Sequence, residues 1–416
     1  MPTPYTRREF LRTSGRGVGL LAFSQYAPFF LAQSTLAKVP AAERDRSILV
    51  LIQLAGGNDG LNTIVPYQND HYYNLRPTLG LPREELITVN DKVAFPRAFE
   101  PLYRLFQEGE LSIVQNVGYP NPNRSHFRSM EIWETAAQAD ENLPTGWLGR
   151  YLDNQCAGVD GDGADPAAAH FSPETPLTFH AEQPHAVHGV NLRRGGGRGP
   201  DASLALLEDL LAKPLRSTNA NASFLQHTML NALAADRKIE ALMQRYRPGV
   251  TYPQSALGQN LRGIAALIAG GLDTRVYFAT LGGFDTHSNQ AGQHARLLGT
   301  LAEALAAFQT DLAAHGLDDQ VLTMTFSEFG RRANENGSRG TDHGAAAPLF
   351  VMGRQCQGTI IGEEPLLDLD GRVPEVRHQI DFRQVYQTIL DQWMGCGPAA
   401  SAILGRSFAS LPLIRS

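Results

Sequence analysis

The chain has 416 residues and a formal charge of -6, from 42 acidic and 36 basic side chains. That length suits one large α/β domain or two smaller ones. Its 40 glycines and 25 prolines predict many loops, and nothing in it has the period of a collagen or the makeup of a disordered chain. An acidic balance argues against nucleic acid as a general partner.

The first stretch reads as an address rather than as fold. Residues 6–12, TRREFLR, resemble a twin-arginine export signal. A mildly apolar run from Val18 to Ala32 follows, then a small-residue site at Thr35, Leu36 and Ala37. That is the order of a signal peptide, assigned here to residues 1–37. The apolar run is short for a membrane span and is broken by Pro28. The sequence therefore predicts an exported protein, periplasmic or secreted, with the twin-arginine translocase as its partner in transit and no stable membrane span. Residues 1–37 carry four arginines and one glutamate, so the remainder has a formal charge of -9. An anionic substrate would then depend on local arginines or on cations.

The remainder, residues 38–416, is expected to form a single α/β domain with a Gly/Pro-rich loop insertion at about 156–200. RSILVLIQL at 46–54 is the first strand and runs into the glycine turn AGGNDG at 55–60. A continuous apolar run before such a turn indicates a parallel strand covered on both faces. The turn offers Asn58, Asp59 and Thr63, but it is neither a dinucleotide nor a Walker pattern. Residues 66–96 look irregular. An amphipathic helix is predicted over Phe99 to Glu108, and a second strand over Leu111 to Val117. Past that strand, Arg124, Ser125 and His126 stand together. They form either an anion- or metal-binding edge or a helix start with Ser125 as cap. Trp147 and Tyr151 are expected in the core, with Arg150 reaching an anion or a carboxylate. His170, His180, His185 and His188 fit no metal spacing and are expected at the surface or at caps. Residues 202–246 and 255–271 look helical.

Asp273 to Leu281 returns to strand character and ends in GGFDTH. There Asp285 and His287 share one side if the backbone is extended, and otherwise Asp285 or Ser288 caps the next helix, Gln290 to His315. Val321 to Phe326 is a buried strand that delivers Glu328, Arg331 and Arg332, and then a polar loop that delivers Asp342 and His343. A late strand at Pro348 to Met352 and a helix around Asp381 to Met394, capped by Asp381, complete the chain. Cys156, Cys356 and Cys396 lack CxxC spacing, which makes a thiolate zinc site improbable. Either one disulfide or three unpaired thiols remain open.

In a doubly wound sheet the strand ends share one edge, so these polar junctions are expected to meet in one crevice. Carboxylates and imidazoles without thiolates suit a divalent metal ion such as zinc, manganese or calcium. Metal ions of this kind hydrolyse phosphate or sulfate esters, with arginines holding the anionic oxygens.

The strings LAGGNDGLNT, RSHF, TGWLGRYLD, GGFDTH, SEFGRR and GTDHG resemble the domain-of-unknown-function 1501 family of exported twin-arginine proteins, over nearly all of the mature chain. That family is similar to the alkaline phosphatase and sulfatase superfamily. The resemblance implies an alkaline-phosphatase-like α/β fold, with a mostly parallel central sheet, helices on both faces and a metal site at the strand ends. It implies metal-ligand roles for Asp59, Asp285, His287, Glu328, Asp342 and His343. It makes Thr63 the nearest match to a nucleophile, with Ser125 as rival, His126 as ligand or general acid, and Arg331, Arg124, Arg332 and Asn58 around the ester. Two departures are visible: Phe329 stands where the superfamily has a metal histidine, and the first strand ends in Leu54 and Ala55 without a carboxylate. The expected activity is an exported metal-dependent hydrolase of a small anionic ester. The alternative is a non-catalytic exported binding or assembly protein with a degenerate site.

Overall fold

The computed structural model of the chain describes residues 46–154, 165–192, 220–367 and 375–415. The signal-like segment, both ends of the 156–200 insertion (156–164, with Cys156, and 193–200) and the front of the 202–246 helical stretch lie outside the described residues. Among the described residues no helix is long and apolar enough to cross a membrane.

In chain order the strands are β1 (Ile48–Ala55), β2 (Leu86–Thr88), β3 (Ala94–Pro96), β4 (Leu111–Gly118), β5 (Ala168–Phe171), β6 (Val187–Gly189), β7 (Val276–Gly282), β8 (Val321–Phe326), β9 (Ala347–Met352), β10 (Ile360–Ile361) and β11 (Ile380–Asp381). The helices are α1 (Asp70–Leu75), α2 (Glu100–Gln107), α3 (His126–Thr135), α4 (Trp147–Asp153), α5 (Ala220–Arg245), α6 (Ala256–Ala269), α7 (Gln290–Ala314), α8 (Phe382–Thr388) and α9 (Ala399–Ile403). The stretch 66–96, expected to be irregular, holds α1 and the antiparallel β2–β3 hairpin.

Nine strands form one sheet in the order β10-β4-β9-β8-β1-β7-β5-β6, with β11 also on β4. β1 lies at its centre, parallel to both β7 and β8. Its unbroken apolar sequence follows from burial on both faces. Ile48, Val50, Ile52 and Leu54 pack with α2, α6 and α7, whereas Leu49 and Leu51 pack with α3, α4 and α8. Each such side chain contributes about 1.5–3 kcal/mol on burial. Trp147 and Tyr151 are in the second core, as expected. Asp381 caps α8 in a reciprocal capping box with Gln384. Cys356 and Cys396 are both buried.

β9 is the one reversed strand, antiparallel to β4 and to β8. The sheet is otherwise parallel, so β1, β4, β7 and β8 end at the same edge. Because β9 is reversed, it begins at that edge. The loop 327–346 therefore leaves β8 and enters β9 without crossing the sheet, and everything it carries stays at the shared edge.

Close backbone contacts hold this loop. Arg331 and His343 form an isolated antiparallel bridge, and Gly344 N donates to Gly330 O at 2.8 Å. A Cβ built on Gly330 would lie 1.7 Å from Ala346 O, a backbone atom that cannot swing away. Gly282 has nothing within 4 Å of its Cβ position. We expect Gly330→Ala to destabilise the protein by about 1–3 kcal/mol or more and Gly282→Ala to be close to neutral. Urea denaturation of the two variants checks this, and equal midpoints would contradict the packing described.

Candidate metal centre

Four junctions predicted to converge do so in part. The turn after β7 places Asp285 and His287. The N-terminus of α3 places His126, one residue past Ser125 at the N-cap position. The 327–346 loop places Glu328, Arg331, Asp342 and His343. Their common point is Oδ1 of Asp285. His343 Nε2 lies 3.2 Å from it, His287 Nε2 3.1 Å, His126 Nε2 3.5 Å and Arg331 Nη2 2.8 Å. Ligand atoms of His126, Asp285 and His343 all lie within 4.8 Å of one another.

The partners behind the rings decide which nitrogens face this point as lone pairs. His343 Nδ1 is 2.8 Å from the carbonyl of Arg124. A carbonyl only accepts, so Nδ1 carries the proton and Nε2 of the neutral ring is a lone pair. His126 Nδ1 is 2.8 Å from Glu328 Oε1, which also accepts from Gly56 N at 2.9 Å. The His126 proton is therefore on Nδ1 as well. Its buried Nε2 has no hydrogen-bond partner among the described residues. The His126 lone pair and the Asp285 oxygen that faces it repel unless a cation sits between them. The orphaned nitrogen and the imidazole–carboxylate donor set fit a divalent metal ion. His287 Nε2 is 2.9 Å from His343 Nε2. It donates to the His343 lone pair, a hydrogen bond that a cation held by His343 would replace, and its Nδ1 is 3.5 Å from Asp342 Oδ1.

Burial works against ionisation of Asp285, but the Arg331 guanidinium hydrogen-bonded to it outweighs this and holds the carboxyl down to about 2. The hydrogen bond to Glu328 raises the pKa of His126, while burial lowers that of His343. Asp342 is held below its ordinary value, chiefly by the Asn336 side chain.

Arg331 is fully buried and its donors are committed. Nε binds Gly57 O at 2.8 Å and Nη1 binds Thr341 O at 2.8 Å, while Nη2 binds Phe284 O at 3.0 Å, Gly56 O and Asp285. It ties three loops together and has no free face for an ester. Asp285 keeps Oδ2, which carries none of the contacts just described. Phe329 packs against both His126 and His343, with ring centroids at 4.8 and 4.5 Å, and the two imidazoles touch each other at 4.5 Å.

The β1 turn does not supply the groups expected of it. Gly56 and Gly57 have φ of 121° and 80°, and a Cβ on Gly57 would strike the Phe329 ring at 2.4 Å, so the turn needs glycine there. Asn58, Asp59 and Thr63 are all buried. Asp59 is gripped by Arg76 at 2.6 and 2.9 Å and by Gln290. Burial raises its pKa, but Arg76 outweighs this and holds the carboxyl below its ordinary value. Thr63 Oγ1 donates to Asp59 O at 2.7 Å and lies 3.0 Å from Asn58 Oδ1. His294 Nε2 caps the cluster 3.0 Å from Asn58 Oδ1, and burial pushes that imidazole down to about 4. As placed, Asp59 has no oxygen facing the Asp285 group and Thr63 has no exposed hydroxyl.

Arg124 forms an ion pair with Glu375, with Nε 2.9 Å from Oε1. Arg332 reaches Asp342 Oδ2 at 3.5 Å, and its Nε has no partner among the described residues. Arg150 binds the carbonyls of Thr145, Thr135 and Ile403 rather than an anion. His170, expected at the surface, is buried beside Ser172 and Thr175. The buried partners Arg76, Gln290 and His294 were not anticipated. Two of them had a signal: Gln290 and His294 are four apart at the head of α7, polar positions on its buried stripe.

A model of the family described as "Protein of unknown function (DUF1501)" matches residues 109–399. No curated protein matches the sequence. Among solved structures, the chain is similar to a protein in the alkaline phosphatase superfamily from Vibrio parahaemolyticus, at 12% identity and a TM-score of 0.40, covering 88% of this chain and 71% of that one. It is also similar to the C-terminal periplasmic domain of EptC from Escherichia coli in complex with zinc, at 9% identity and a TM-score of 0.34, covering 76% and 75%. A mutant alkaline phosphatase from TAB5 with bound magnesium matches at 11% identity and a TM-score of 0.33, covering 75% and 93%. Likenesses this loose carry no argument about the site.

The buried Asp59–Arg76 pair yields a direct test. Arg76→Met leaves a desolvated carboxylate without its counter-charge, which costs about 3–5 kcal/mol. Asp59→Asn combined with Arg76→Met is expected to recover part of that loss. Chemical denaturation of both checks this, and an Arg76→Met variant as stable as the parent would contradict the role given to the pair.

Proposed function

The chain belongs to the DUF1501 family, and on that premise we propose that it is an exported, metal-dependent hydrolase of phosphate or sulfate esters. The observation that carries this reading is the convergence of His126 Nε2, an orphaned buried atom, and His343 Nε2 on Asp285 Oδ1. The signal-like residues 6–12 support export. Imidazoles in the donor set favour zinc or manganese over calcium.

His126, Asp285 and His343 hold the cation in this reading. A divalent cation there supplies Lewis acidity toward an ester oxygen. Arg332, with an unpartnered Nε, and Arg124, once released from Glu375, take the anionic oxygens. His287 presents its Nε2 proton at the cluster and has Asp342 behind it. In its imidazolium form it passes that proton to the leaving alkoxide as a water oxygen bonds to phosphorus or sulfur and the ester bond breaks, and the freed Nε2 then takes the proton that the water sheds. Water is preferred as nucleophile because the hydroxyl of Thr63 is buried and committed. Ser125, exposed at the start of α3, is the remaining hydroxyl candidate.

One observation favours a second reading, a non-catalytic exported binding or assembly protein. Phe329 packs its ring against both His126 and His343 at the position where the superfamily resemblance calls for another ligand. A panel of phosphate and sulfate esters, assayed with zinc- and manganese-loaded protein, separates the two. The hydrolase reading predicts turnover that is lost in Asp285→Ala and reduced about 10²-fold or more in His287→Ala. Absence of turnover across the panel, or turnover unchanged in Asp285→Ala, would overturn it.

A further inference from the structure

The geometry points to Glu328 as a positioning residue that locks His126, and not as a metal ligand. We propose that its carboxylate fixes the His126 proton on Nδ1 and so keeps Nε2 free for a cation. This rests on the metal reading above and assigns a role within that site. Glu328 is 1% exposed. A single oxygen, Oε1, takes both Gly56 N at 2.9 Å and His126 Nδ1 at 2.8 Å. The acceptor is itself held to the β1 turn by the Gly56 N–H. Oε2 is 3.4 Å from Ser327 Oγ, which donates to Leu54 O at 2.7 Å and accepts from Asn58 N at 2.9 Å. The carboxylate is thus pinned by the β1 turn, and the imidazole is pinned by the carboxylate and by the Phe329 ring. His343 is oriented by a backbone carbonyl, which no side-chain substitution removes. Glu328 is therefore the side chain whose hydrogen bond sets the donor geometry of His126 without itself being one of the three donors. Carboxylate–imidazole pairs of this kind raise ligand basicity and fix ring orientation, and their loss typically costs about 10–100-fold in metal affinity.

Three variants separate reach from charge. Glu328→Gln keeps an acceptor at the same reach, pinned by the Gly56 N–H. Glu328→Asp keeps the charge but withdraws it by one methylene. Glu328→Ala removes both. Two readouts apply: the zinc dissociation constant by competition with a chromophoric chelator, and the imidazole ¹⁵N spectrum of the metal-free protein. We expect His126 to be the Nδ1–H tautomer in the parent and in Glu328→Gln, and a mixture in Glu328→Ala. We expect zinc affinity to fall about 10–100-fold in Glu328→Ala, nearly as far in Glu328→Asp, and only severalfold in Glu328→Gln. If Glu328→Ala does not fold, the order of the Asp and Gln variants decides. Loss of zinc in Glu328→Gln as complete as in Asp285→Ala would make Glu328 a ligand and overturn the proposal. So would unchanged affinity and tautomer in Glu328→Asp. A parent that binds no zinc would sink the metal reading instead, while the tautomer spectrum would still report on Glu328.

Discussion

The edge of this sheet is held together by a buried guanidinium. Arg331 sits among three loops and spends its donors on the carbonyls of Gly56, Gly57, Phe284 and Thr341, and on Asp285. A buried charge is tolerable only when such groups satisfy it. That requirement fixes the glycine turn, the Asp285 turn and the return of the 327–346 loop relative to one another. The same charge keeps Asp285 ionised. It therefore sets both the shape of the candidate metal centre and the sign of its central oxygen, and it makes the donor set rigid before any cation arrives.

Two polar clusters lie near this edge, and burial separates their roles. The inner one joins Asp59 to Arg76 and Gln290, with Asn58, Thr63 and His294 beside them, all buried. Its charges are paired and nearly all its donors are spent, so it fastens the β1 turn to α7. The outer one, His126, Asp285, His287 and His343, keeps part of its surface open and one nitrogen unpartnered. Unspent lone pairs at an open edge are what chemistry requires. The inner cluster has already used its own in folding.

Much of this was legible in the sequence. The strand Val321–Phe326 is found with its expected ends, because a fully buried strand bounded by polar residues has a clear signal in one dimension. Glycine at 56 and 57 announced a turn that no other residue could make. The grouping of Asp285, His287, His343 and His126 was also readable, since each follows or precedes a strand end. The role of Asp59 was not legible. Whether a carboxylate in a turn faces solvent or a guanidinium depends on Arg76 and Gln290, which arrive from α1's end and from α7. Arg331 likewise reads as an anion-binding residue until its carbonyl partners are known. The reversal of β9 carries no mark in its apolar run, yet it is what returns His343 to the edge.

The central claim is that His126, Asp285 and His343 hold a single divalent cation. The most direct test is elemental analysis of protein exported and purified without chelator, alongside His126→Ala and Asp285→Ala. The account predicts about one equivalent of zinc or manganese per chain in the parent and loss of it in both variants. No bound metal in the parent, even after reconstitution, or metal retained in Asp285→Ala, would contradict it.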